Sequence, residues 1–253
     1  MTYSVIAIGE EETAFSAAQA AVVAGEVIVL PTDTIYGVGA LATSGAAVQR
    51  LLDAKERGRD MPPPVLVAEI GMVRALASGT DDRLTRLAEA FWPGALTVVL
   101  TARDSLRMDL GDRGDTIAVR VPAQEFTREL LRRTGPLAVS SANVHGRPAA
   151  TTIAEAIGQL GERCAVYLDA GTVDDPAPST IVDLTGVQAR VLRAGRISID
   201  ELNAAVPGLI EVVSDQAPAG EPATVSGEAP AGGEADADAT ARTVDTPVQP
   251  DEA

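Results

Sequence analysis

The chain has 253 residues, 46% of them apolar, and a formal net charge of −16, enough apolar material for one buried core of ordinary size. A single cysteine, Cys164, excludes an internal disulfide, and a single histidine, His145, far from it in sequence, gives no zinc site of the usual type. The acidic balance excludes a broad basic surface for nucleic acid; with no basic n-region at the N-terminus and no run of ~18 apolar residues, the chain reads as soluble and cytoplasmic.

Residues 10–24 (EEETAFSAAQAAVVA) place acids first and small apolar residues next, with Gly25 as a stop, which predicts a helix with a complemented dipole. EVIVLPT is a short buried strand. GAAVQRLLDAKE has helical spacing, PVLV is a strand, and DDRLTRLAEAFW is a helix begun by acids and stopped by Pro93-Gly94. ALTVVLTA and DTIAVRVP are β-branched strands. Residues 124–133 form a helix, and PLAVSSAN is a strand running into a loop. Thr152 and Glu155 have capping-box spacing, as do Ser198 and Glu201, so each pair should open a helix. AVYLDAG, STIVDLTG and ARVLRAG are further strands. Strands and helices mix without strict alternation, which predicts one α/β domain over residues 1–210 built on a mixed, twisted sheet. Residues 211–253 carry ten acids against one arginine and no hydrophobic period, so they read as an acidic, Ala/Pro/Gly-rich disordered tail.

Four places interrupt this pattern with hydroxyls and cations at strand ends. PTDTIYGVGA (31–40) ends a strand with two threonines bracketing Asp33, then Gly37 and Gly39, an arrangement suited either to a hairpin or to holding a carboxylate or phosphate. AKERGRDMPPP (54–64) holds Lys55, the one lysine of the chain, beside Arg57. Cations at a helix C-terminus are favoured by its dipole in any case. Together they also suit a polyphosphate, lysine as a point charge and arginine as a fork. The prolines after them are candidates for shaping the entrance to a site. SSANVHGRPAATT (140–152) leads from a strand to a helix N-terminus, a ready anion site. STIVDLTGVQARVLRAGRIS (179–198) reads as a β-hairpin with Ser179 and Arg193 at its ends. There is no G-x-x-x-x-G-K-[ST], no strand-bound G-x-G-x-x-G and no G-x-S-x-G elbow.

In order, PTDTIYGVGA, KER with its prolines, FWPGALTVVL, DTIAVRVP, SSANVHGRPAATT and STIVDLTG with RVLRAGRIS resemble the YrdC/TsaC family of L-threonylcarbamoyladenylate synthases over about residues 10–200. The resemblance implies a YrdC-like twisted mixed sheet flanked by helices, with a large concave cavity. It implies formation of threonylcarbamoyl-AMP and pyrophosphate from L-threonine, bicarbonate or CO₂ and ATP, for N6-threonylcarbamoylation of adenosine 37 in tRNA. By motif position, Thr34, Arg120, Ser141 and Ser179 would bind threonine. Lys55, Arg57, Thr116, Asn143, Thr151 and Arg193 would bind ATP, with Lys55 and Arg57 as the catalytic cations. Mg²⁺ would come on the ATP phosphates rather than on protein side chains. The product would pass to the tRNA threonylcarbamoyltransferase machinery, with weak or no direct tRNA binding by this chain and no membrane. Ala68 and Glu69 stand where some members have a histidine, and Arg57-Gly58-Arg59 departs from the frequent Lys-x-Arg-Pro. The alternatives are a carbamoyl-transfer module or a non-catalytic RNA-binding domain of the same fold.

Overall fold

The computed structural model describes residues 2–106, 108–112, 115–208 and 210–211, all within one unit. The expected tail lies, beyond Glu211, outside the described residues. The strands are β1 (Ser4–Ala7), β2 (Ile28–Leu30), β3 (Gly37–Leu41), β4 (Val65–Leu66), β5 (Ala77–Ser78), β6 (Leu96–Ala102), β7 (Thr116–Arg120), β8 (Leu137–Ser141), β9 (Val166–Asp169), β10 (Thr180–Asp183), β11 (Arg190–Arg193) and β12 (Ile210–Glu211). They form one mixed sheet in the order β1-β9-β2-β3-β8-β4-β7-β6-β10-β11-β12, with β5 paired to β6. It mixes parallel pairs, such as β4 with β7 and β6 with β10, and antiparallel ones, such as β3 with β8.

The helices are α1 (Glu11–Val23), α2 (Gly45–Ala54), α3 (Ile70–Leu76), α4 (Asp82–Phe91), α5 (Glu125–Thr134), α6 (Ile153–Leu160) and α7 (Ile199–Ala205). The strand period of two divides the core between them. In β2, Val29 joins the larger cluster with Leu51 and Leu52 of α2 and Leu160 of α6. Its neighbours Ile28 and Leu30 join a second cluster with Phe15 of α1 and Leu130 of α5. There the Phe15 and Phe126 rings stack at 4.4 Å, with Arg133 over Phe15. Apolar faces on both sides of the sheet explain its near-continuous Val/Ile/Leu strands.

Both expected capping boxes form, Thr152 with Glu155 at α6 and Ser198 with Glu201 at α7. PTDTIYGVGA is the turn and second strand of an antiparallel β2–β3 pair, and β10 and β11 pair antiparallel as the hairpin reading expected. Several elements go beyond the sequence reading, among them the two-residue strands β5 and β12. β1 is an edge strand held by β9 alone, and α3 is a seven-residue helix whose N-cap residue, Glu69, makes no side-chain cap bond.

Candidate active site

The middle of the sheet carries a cavity of about 200 Å³. Its floor and walls are hydroxyl-bearing strand ends: Thr32 and Thr34 before β3, Thr97 of β6, Thr116 of β7, Ser140 and Ser141 of β8, and Ser179 before β10. Arg57, Arg120 and Arg193 reach it from three different segments, and Met61 through Pro64 with Leu110 cover one side. The proline run thus borders the site. Among the described residues no carboxylate is in its lining.

At one end, Arg120 closes β7 and is almost fully buried, 6% exposed. Its Nη2 donates to Asp33 Oδ1 at 2.8 Å, Nη1 to Thr34 Oγ1 at 3.0 Å and Nε to the Gly94 carbonyl at 3.0 Å. Asp33 Oδ1 also accepts from the Ala123 amide at 2.9 Å, and Arg196 Nη1 donates to the Asp33 carbonyl at 2.9 Å. Burial pulls the Arg120 guanidinium below its ordinary range, and Asp33 opposes this. Thr32 Oγ1 donates to the Ile35 carbonyl at 2.6 Å, so its 2.9 Å contact with Thr34 Oγ1 is a donation from Thr34. Thr34 therefore has both its proton and one lone pair committed, and its orientation is fixed before any ligand arrives.

At the other end, Arg57 is 8% exposed. Its Nη1 donates to Ser140 Oγ at 3.1 Å, and its buried Nε has no hydrogen-bond partner. Burial pushes the guanidinium down to about 10, Asp60 raises it and nearby Arg193 lowers it further. An orphaned N–H on a buried cation is a costly feature and is relieved by an anion. Arg193 donates through Nε and Nη2 to the Ser179 carbonyl at 3.1 and 2.8 Å, and through Nη2 to Ser179 Oγ at 3.0 Å.

Of the ten residues singled out in the sequence, Thr34, Arg57, Thr116, Arg120, Ser141, Ser179 and Arg193 line this one cavity. Lys55, Asn143 and Thr151 do not line it. The Lys55 ammonium, 2% exposed, donates instead to the carbonyls of Ser141 at 2.5 Å and Asn143 at 2.7 Å, with Asn143 Oδ1 at 3.4 Å. Burial, then Arg57, push it down to about 7. Asn143 Nδ2 donates to the Val144 and Arg147 carbonyls at 3.0 and 2.7 Å, so both ends of its amide hold the loop. The Thr151 hydroxyl donates to Glu155 Oε2 at 3.0 Å, beside the α6 capping box. At the departures, Ala68 is a core residue, and Glu69 is drawn out to Arg128 and Arg132 on α5. His145 Nδ1 is buried without a partner, and its amide donates to the Lys55 carbonyl at 2.8 Å.

Four polar residues at the site were not singled out. Thr32 and Asp33 stand in a motif that was, and Ser140 is the first serine of SSAN. Thr97 is a hydroxyl near the start of the apolar run of β6, which also holds Thr101, and that interruption was its only signal. Among the described residues no group of His, Cys, Asp or Glu could hold a metal ion, and no helix is long and apolar enough to cross a membrane.

Residues 20–195 match the Sua5/YciO/YrdC family model, described as telomere recombination. A Mycobacterium tuberculosis protein with a provisional threonylcarbamoyl-AMP synthase name is 48% identical over 182 residues, covering 72% of this chain and 84% of that protein. A Bacillus subtilis threonylcarbamoyl-AMP synthase is 34% identical over 196 residues, covering 76% of this chain and 56% of that one. The structure of Pyrococcus abyssi Sua5 complexed with L-threonine is similar with a TM-score of 0.77 at 29% identity, covering 87% of this chain and 67% of that one.

Proposed function

Because the chain belongs to the Sua5/YciO/YrdC family, we propose that it is an L-threonylcarbamoyladenylate synthase, a nucleotidyltransferase supplying threonylcarbamoyl-AMP for tRNA modification. The observation that carries this reading is the convergence of Arg57, Arg120 and Arg193 on one hydroxyl-lined cavity whose lining, among the described residues, holds no carboxylate, in a chain whose net charge is −16. Such a cavity is built for a ligand with several anionic oxygens.

The reaction needs that charge. The threonine amine takes up CO₂ to give a carbamate, releasing a proton. A carbamate oxygen then attacks the α-phosphorus of ATP in line, forming the mixed anhydride and expelling pyrophosphate. Nucleophile and electrophile are both anionic, so charge neutralisation and alignment are the main tasks. Arg120 and Thr34 would hold the amino-acid end. Arg57, with its unpartnered Nε, and Arg193 would face the phosphates. Thr116, Ser141 and Ser179 would fix the geometry between them. Lys55, Asn143 and Thr151 would contribute by shaping the SSAN loop and the segment leading into α6. With no carboxylate in the lining among the described residues, Mg²⁺ would be held by the ATP phosphates, whose charge it would help neutralise. Work in the cytoplasm, hand-over to a tRNA threonylcarbamoyltransferase and little direct tRNA binding fit the acidic chain.

The test is pyrophosphate release from ATP, with L-threonine and bicarbonate each omitted in turn. Release is expected to require both. Release indifferent to threonine would sink the synthase reading, and turnover of carbamoyl phosphate instead would favour a carbamoyl-transfer module.

A further inference from the structure

Thr97 is the second residue of β6, LTVVLTA, and is 2% exposed. Valine has the same shape and an equal liking for strands, whereas burying a hydroxyl without a partner is costly. The hydroxyl therefore needs a reason to be there. Its Oγ1 lies 2.9 Å from Ser179 Oγ, an oxygen that also accepts from Arg193 Nη2 at 3.0 Å. Both hydroxyls line the cavity.

The proton count decides what this arrangement can do. Each hydroxyl has one proton and two lone pairs. The pair holds two protons, and one of them lies between the two oxygens. Among the described residues the other has no acceptor. With Thr97 as the donor between them, the free proton is that of Ser179, the more open of the two, 7% against 2% exposed. In that arrangement Ser179 accepts from both Thr97 and Arg193, which leaves its own O–H for a ligand.

We propose that Thr97 is a positioning residue: with Arg193 it locks the Ser179 hydroxyl as a donor to an anionic oxygen of the amino-acid substrate. The inference rests on the synthase reading above and adds to it a residue that touches no substrate itself.

The experiment measures L-threonine affinity by calorimetry, alongside KM for threonine and for ATP, in Thr97→Val, Thr97→Ser, Ser179→Ala and the Thr97→Val/Ser179→Ala double variant. Loss of one ordering hydrogen bond predicts a roughly threefold to tenfold weakening of threonine binding in Thr97→Val. The ATP KM and the melting temperature should hold, and Thr97→Ser should bind within about twofold of the wild type, since it keeps the hydroxyl. In the Ser179→Ala background Thr97→Val should add nothing, because its effect passes through Ser179. Unchanged threonine affinity in Thr97→Val, full additivity in the double variant, or an equal rise in both KM values would overturn the proposal. Failure of the wild type to bind threonine at all would instead fault the synthase reading on which it rests.

Discussion

The Lys55 ammonium and the main-chain oxygen of Asn143 lie 2.7 Å apart, joining the end of α2 to the loop that leaves β8. The Ser141 carbonyl at 2.5 Å completes the grip. A lysine expected as a phosphate contact is thus also a tie within the fold. Lys55→Ala would leave these buried acceptors without their donor, at about 1–3 kcal/mol. At roughly 2–4 °C per kcal/mol for a domain of this size, the melting temperature should fall by several degrees. Lys55→Arg should not restore it, because a planar fork does not replace a compact three-donor ammonium. An unchanged melting temperature with activity lost would return the amine to direct contact with ATP.

The same burial sets a pH dependence. Lys55 titrates near 7 in the folded chain against 10.5 as its ordinary value, through burial first and Arg57 second. Between these values the unfolded chain holds a proton that the folded chain has released. Unfolding then takes up protons, so stability on this account rises with pH from about 7 toward 10.5. Neighbouring Cys164 acts the other way, since burial raises its thiol from 9.0 to about 12, and stability from that group falls above about 9. The clean window is therefore between about pH 7 and 9. Melting temperatures there should climb less with pH in Lys55→Met than in the wild type; equal slopes would remove Lys55 as the cause.

Asp33 and Arg120 give a sharper stability test. Their contact is 2.8 Å, with side chains 16% and 7% exposed, so neither charge is well solvated. Removing one partner of a buried pair strands the other, at about 3–5 kcal/mol. Asp33→Ala should approach that loss in urea denaturation. Asp33→Asn should lose less, because its amide oxygen can still accept from the Ala123 amide and Arg120. It should still weaken threonine binding, since Arg120 also orients Thr34. A loss below about 1 kcal/mol in Asp33→Ala would place the pair among those that contribute little.

Local signals were legible in the sequence where they act over a few residues. Thr152 and Glu155 form their capping box because both partners lie within one turn, and the apolar alternation of β2 divides the core as its period requires. The hydroxyl-rich strand ends also converge, because neighbouring strands bring Thr97, Thr116 and Ser179 onto one surface. What the pattern does not carry is direction at the tip of a long side chain. Lys55 and Arg57 are two residues apart, yet one turns to the SSAN carbonyls and the other to the cavity. That choice depends on a loop 86 residues away in sequence. Short β1 and uncapped α3 escaped for a related reason, since each is held by tertiary contacts rather than by propensity.

The turn that separates those two cations offers a last test. The Glu56 amide donates to the Asp53 carbonyl and the Arg57 amide to that of Leu52, both at 3.0 Å, which is a Schellman ending to α2. The residue in its left-handed position is Glu56, with φ 55°, where glycine is usual and a side chain costs about 1 kcal/mol. Glu56 also pairs with Arg163 at 2.8 Å, and a surface pair contributes about 0–1 kcal/mol. Glu56→Gly removes both the strain and the pair, whereas Glu56→Ala removes only the pair. Glycine should therefore be more stable than alanine at this position by about 1 kcal/mol, and equal to or slightly more stable than the wild type. Urea denaturation of the three proteins separates the two contributions. If alanine matches glycine, the left-handed turn is not what limits stability here, and the placing of Arg57 toward the cavity must depend on its bond to Ser140 instead.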